Sequence, residues 1–180
     1  MKIALAVLAC VIGVIYAAPT VEESRQIRFT HNSDWNVCFA FIHNSTQPER
    51  LGLATRDLCE KLSLIMDGPT CNGPHDNVTP KPKDGSALSR GHYCEDVTCP
   101  AETHYCQRGM VPVCCSNKND EIKKELLSSK CPDGSKAGGV TKAPHLTAVV
   151  VGKTCADLIC EEGQKCTQIN EHFAKCCGAK

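Results

Sequence analysis

Gly91-His92-Tyr93-Cys94-Glu95-Asp96-Val97 returns 61 residues later as Gly152-Lys153-Thr154-Cys155-Ala156-Asp157-Leu158. Each stretch sits inside a set of six cysteines. Cys71, Cys94, Cys99, Cys106, Cys114 and Cys115 form the pattern C-x22-C-x4-C-x6-C-x7-C-C. Cys131, Cys155, Cys160, Cys166, Cys176 and Cys177 form C-x23-C-x4-C-x5-C-x9-C-C, displaced from the first set by 60 to 62 residues throughout. Agreement at six spacings and at the flanking residues reads as an internal duplication. The long first loops do not align, because Asp84-Gly85-Ser86 and Asp133-Gly134-Ser135 lie at different distances from their leading cysteines.

Six thiols per repeat suffice for three internal bridges, and the pairing inside each repeat stays open. A bond between neighbours would close a strained ring with its Cα atoms too close. Cys114 and Cys115 therefore reach different partners, as do Cys176 and Cys177. Cys38 and Cys59 fall outside both sets and pair by subtraction. That staple is worth about 3 kcal/mol in the loop-entropy picture.

Composition points the same way. Fifteen of 180 residues are cysteine, a fraction typical of disulfide scaffolds in oxidising compartments. Setting aside the cysteines and the apolar leader, too few of the 42% hydrophobic residues remain for one large core. The 20 basic and 20 acidic residues cancel, which gives no field for phosphate backbones or anionic lipid and argues against nucleic-acid binding.

Met1-Lys2, the apolar run Ile3 to Ile15 and the exit Tyr16-Ala17-Ala18 read as a secretory signal peptide over residues 1–17. Thirteen residues span about 20 Å as a helix, short of a bilayer core of about 30 Å, so no membrane insertion is expected. Removing the leader takes away Cys10 and Lys2, leaving an even 14 cysteines and 19 basic against 20 acidic residues, a charge of −1. Along a secretory route Asn44 in Asn44-Ser45-Thr46 is a glycosylation acceptor. Asn77 in Asn77-Val78-Thr79 is a second, stiffened by Pro80.

Leu51, Leu58, Leu62 and Ile65 line one face of a helix predicted between Pro48 and Met66, with Cys59 riding on it. Gln26 to Thr30 and Val37 to Ile42 read as strands, and Trp35 is the largest apolar contact of that segment. Asn119 or Asp120 is placed to cap a helix through Ser128, with Ile122, Leu126 and Leu127 inward. Leu146 to Val151 is a strand that the Cys166–Cys176 segment can partner, while proline-rich Asn72 to Tyr93 reads as an exposed irregular loop. The expected divisions are a stapled N-terminal segment at 18–70, repeat 1 at 71–118, a helical linker at 119–130 and repeat 2 at 131–180. The fold class is small and disulfide-rich, with short strands, loops and one or two short helices. Two tandem three-disulfide modules follow the stapled segment.

Catalytic chemistry finds little support. There is no G-x-S-x-G elbow and no C-x2-C pair, and the seven histidines fall at no i, i+4 spacing. No catalytic or metal residue and no cofactor is assigned. Asp96 and Asp157 recur at one position per repeat and read as turn-capping residues. Arg108-Gly109, shortly after Cys106, is the candidate inhibitory contact for a trypsin-like protease. The matching stretch Thr167 to Lys175 has no basic residue at that place, and Phe173 there reads as a core anchor.

The run from Cys131-Pro132-Asp133-Gly134-Ser135-Lys136 through Gly152 to Cys160, Gly163-Gln164-Lys165-Cys166 and Phe173-Ala174-Lys175-Cys176-Cys177 resembles repeats of secreted cysteine-rich nematode proteins. The likeness covers repeat 2 well and repeat 1 through its cysteines, where Cys71-Asn72-Gly73-Pro74 replaces the Cys-Pro-Asp-Gly opening. It does not cover residues 18 to 70. The resemblance implies secretion and disulfides and assigns no residue an activity. The expected protein is therefore a secreted monomer, not an enzyme, that binds an extracellular protein or surface component. Protease inhibition near Arg108 and a host-defence or toxin-like role are the alternatives.

Overall fold

The computed structural model describes residues 26–43, 52–63, 71–74, 78–143 and 146–178. The leader, Asn44, Asn77 and both ends of the first predicted helix lie outside the described residues. Among the described residues, the structure consists of short strands, two α-helices and seven disulfides.

Strands β1 (Gln26–Asn32) and β2 (Val37–His43) form an antiparallel hairpin. Its turn places Asn36 at φ 45°, in the left-handed region that asparagine tolerates, and the Asn32 carboxamide accepts the Trp35 N–H at 3.1 Å. Helix α1 (Arg56–Ser63) follows. Repeat 1 supplies β3 (Lys81–Pro82), a 3-10 turn at Cys94–Asp96, β4 (Val97–Thr98), β5 (His104–Gln107) and β6 (Val113–Ser116). Helix α2 (Asn117–Leu127) leads to β7 (Gly139–Ala143), β8 (Leu146–Val149), β9 (Val151–Gly152), a 3-10 turn at Cys155–Asp157, β10 (Gln164–Gln168) and β11 (Ala174–Gly178).

The main sheet runs β1-β2-β9-β11-β10 and joins the N-terminal hairpin to repeat 2, with β2 parallel to β9 at Ala40↔Gly152. Period-2 alternation explains its two cores. Val37 and Phe39 face Trp35, Leu126, Val151 and Phe173, while Cys38 and Ala40 face Phe29, Cys59, Leu158 and Cys176. Burial on both faces accounts for the unbroken apolar run in β2. The same alternation settles the vicinal cysteines: Cys177 bonds Cys131 and lies with the first cluster, and Cys176 bonds Cys160 and lies with the second.

Three expectations change. Helix α1 buries Arg56 and Cys59 and leaves Leu58 and Leu62 outward, because the Cys38–Cys59 bridge fixes which face meets the sheet. Helix α2 starts at Asn117 after Ser116, ahead of the predicted caps, and turns Leu126 inward but leaves Leu127, expected on the same face, exposed. Asn119 is buried and its carboxamide donates to the Pro74 carbonyl at 3.1 Å. The predicted strand from Leu146 to Val151 is divided, β8 pairing with β7 and β9 with β11.

Candidate functional site

The six cysteines of each repeat pair first to sixth, second to fourth and third to fifth. In repeat 1 these are Cys71–Cys115, Cys94–Cys106 and Cys99–Cys114. In repeat 2 they are Cys131–Cys177, Cys155–Cys166 and Cys160–Cys176. Both arrangements clamp a hairpin whose fourth and fifth cysteines face each other in register, Cys106↔Cys114 and Cys166↔Cys176. The strands are thus tied covalently to the segment before them, and the hairpin loop is the part left to vary.

Small polar residues fix the rest of each clamp. The Asp96 carboxylate accepts the Tyr93 N–H at 2.9 Å, and that of Asp157 accepts the Thr154 N–H at 3.0 Å and its hydroxyl at 2.8 Å. Asp84 and Asp133 each accept a serine N–H two residues on, at 2.9 Å, around Gly85 (φ 72°) and Gly134 (φ 82°). Despite their different distances from the leading cysteines, the two Asp-Gly-Ser stretches form the same turn. The backbone bond at Ser86 holds the exposed Asp84 carboxyl below its ordinary range. Tyr105 of β5 is tied to Asp120 of α2, and burial together with that bond pushes its phenol up to about 12.

The two hairpin loops differ in what they face. Between the last paired rungs lie Arg108 to Pro112 in repeat 1 and Ile169 to Phe173 in repeat 2, equal in length. In the second loop the Asn170 carboxamide accepts the His172 and Phe173 N–H groups at 2.9 and 3.3 Å. Phe173 is 0% exposed, and the His172 ring meets Trp35 edge-on with centroids 5.3 Å apart. The first loop turns outward. Met110 is 71% exposed, and Arg108 is exposed with its guanidinium carbon 4.9 Å over the ring of Tyr93, itself 45% exposed. Pro112 alone in that loop is buried.

Of the site residues expected from sequence, Arg108 lies on this loop and the cysteines form its clamp. Sequence alone marks neither Met110 nor Tyr93 as a contact residue. The signal was a large apolar residue midway between two cysteines of a hairpin. Elsewhere, a cleft of about 280 Å³ opens on the sheet face between Ile27, Phe29, Val150, Ile159 and Gln164. Among the described residues no three His, Cys, Asp or Glu side chains are grouped to hold a metal ion. No described helix is long and apolar enough to cross a membrane. Comparison with protein-family models, with curated proteins and with solved structures finds no match.

Proposed function

We propose that the protein is an extracellular binding protein of two tandem three-disulfide modules behind a stapled N-terminal segment, and that the Arg108 to Pro112 loop of the first module contacts the partner. Seven disulfides are typical of secreted or extracellular proteins. The signal peptide ending at Ala17, the acceptors Asn44 and Asn77, and the likeness to secreted nematode repeat proteins support the same address. Shared connectivity and shared aspartate turns support the modular reading.

The contrast between the loops carries the function. One scaffold occurs twice; in the second copy the exit of the loop packs inward, His172 against Trp35 and Phe173 into the core, with the carboxylate Glu171 at the exposed tip, and in the first the tip presents Met110 and Arg108 to solvent. A loop fixed at both ends by disulfides loses little freedom on docking, which favours recognition over catalysis. The partner is a protein or surface component, and the protein itself is a monomer without a cofactor. With a mature charge of −1, electrostatic attack on a membrane has no driving field.

The test is saturable binding of the oxidised, labelled protein to cell surfaces and extracellular matrix at 150 and 500 mM salt, roughly Debye lengths of 8 and 4 Å. Binding that persists at high salt and vanishes when residues 108–112 are replaced by glycine and serine is expected. Equal binding by the replaced loop overturns the assignment. A second reading, protease inhibition, draws on the same observation, since an exposed loop clamped by two disulfides is suited to an enzyme cleft.

A further inference from the structure

We infer that Met110, and not Arg108, is the residue this loop inserts into its partner, and that the partner cavity is an apolar slot of the kind that forms the primary specificity pocket of chymotrypsin-like and elastase-like serine proteases. The inference rests on the reading of the Arg108 to Pro112 loop as the recognition element.

Position is the first argument. Gln107↔Val113 is the last rung of the hairpin, so Met110 stands at the centre of the loop, equally far from the two clamped strands. It is also the most exposed of the large hydrophobic residues among those described. An unbranched thioether chain at such a point can extend into a narrow apolar cavity and adjust to its shape.

The guanidinium is the second argument. Arg108 leans back over Tyr93 at 4.9 Å, where ring and cation attract, and Tyr93 adjoins Cys94, whose bridge to Cys106 holds that ring beside the loop. To enter a pocket carrying a carboxylate, Arg108 would have to leave this contact. Met110 needs no such rearrangement. Arg108 instead forms a shoulder of the contact, with the Tyr93 face beneath it.

Internal comparison is the third. At the centre of the second loop stands Glu171, and the residues after it turn inward, His172 against Trp35 and Phe173 into the core. In the first loop the centre is apolar and outward, while only Pro112 turns in, fixing the exit of the chain. The two disulfides Cys94–Cys106 and Cys99–Cys114 keep the loop ends in place when the tip is loaded.

The experiment titrates trypsin-like, chymotrypsin-like and elastase-like serine proteases with the oxidised protein in its secreted form, without residues 1–17 and Cys10, and with the Met110→Arg and Arg108→Ala variants of that form. Each is first shown to hold no free thiol in denaturant. The expected result is stoichiometric inhibition of an enzyme with an apolar pocket. Met110→Arg should weaken it by about 100-fold and confer inhibition of the trypsin-like enzyme, while Arg108→Ala, at the shoulder of the contact, weakens it by only about threefold to tenfold. Inhibition of the trypsin-like enzyme that is lost on Arg108→Ala overturns the choice of Met110 and keeps the loop. Inhibition indifferent to both substitutions removes the loop itself. No inhibition of any of the three by the native, fully oxidised protein overturns the protease slot as partner and leaves surface binding to decide the loop.

Discussion

The ammonium of Lys175 donates to the carbonyl oxygens of Glu125 at 2.5 Å and Ser128 at 2.9 Å, so a cation closes the C-terminal end of α2 where free carbonyls gather. The residue is 0% exposed, and burial pushes its ammonium down to about 8, partly opposed by Glu125. The unfolded chain holds its proton to about 10.5, so between those values the unfolded state binds more protons and stability rises with pH. Thermal unfolding compared at pH 7.5 and 9.5 should show native protein gaining relative to Lys175→Met; a constant gap between the two would refute this. Gly73 offers a second test. It sits at φ 87°, and an added Cβ would fall 2.5 Å from the Asn119 side chain. Gly73→Ala is expected to cost about 1–3 kcal/mol in denaturant unfolding, whereas Gly85→Ala, strained at φ 72° but with open space around it, costs less. None of the Lys175 chemistry was legible in Phe173-Ala174-Lys175-Cys176, because a lysine in a strand reads as solvated until the opposite helix end is known.

Among the elements, α1 shows how a covalent link can overrule a hydrophobic stripe. Leu58 and Leu62 mark a helix by their spacing, yet Leu62 is 68% exposed because Cys59 must reach Cys38 on β2. Existence of the helix was legible and its orientation was not, since periodicity names a face without naming what covers it. Replacing Cys38 and Cys59 together by alanine removes a bridge spanning 21 residues and should lower stability by about 3 kcal/mol in chemical denaturation, with the repeats' own bridges intact. Little change would mean that Arg56, Phe29 and Leu53 hold the helix without it. Helix α2 has the larger role. Leu126 enters the core beside Trp35 and Phe173, the Lys123 ammonium donates to the Trp35 carbonyl, and Asp120 receives Asn72 at 3.1 Å. Leu126→Ala should cost about 2–5 kcal/mol. A helix expected merely to link two repeats is packed between them and the N-terminal hairpin.

At the scale of the whole molecule, covalent and hydrogen-bonded units follow different boundaries. Every bridge from Cys71 onward stays within its own set of six, yet the main sheet crosses from residues 26–43 to residues 151–178. Residues 18–70 expressed alone should therefore lack stable structure, and a chain lacking them should expose Phe173 and Val151 and bind a hydrophobic dye; a dye-silent truncated protein would show that the hairpin is dispensable. Non-reducing peptide mapping should return the seven bridges described above, with none crossing from 71–115 to 131–177. The sequence by itself determined the repeated cysteine spacing, the aspartate turns and the hairpin strands, because each depends on residues close along the chain and on rigid local geometry. It left open the bridge order, the partner of β2, the buried face of α1 and which hairpin loop points to solvent. Those were decided by tertiary structure, since a strand that is apolar on both faces can pair with several edges. Packing of repeat 2 against both faces of β2, around Trp35 on one and Cys38 on the other, selects that repeat, and the Met110 tip of repeat 1 stays in solvent.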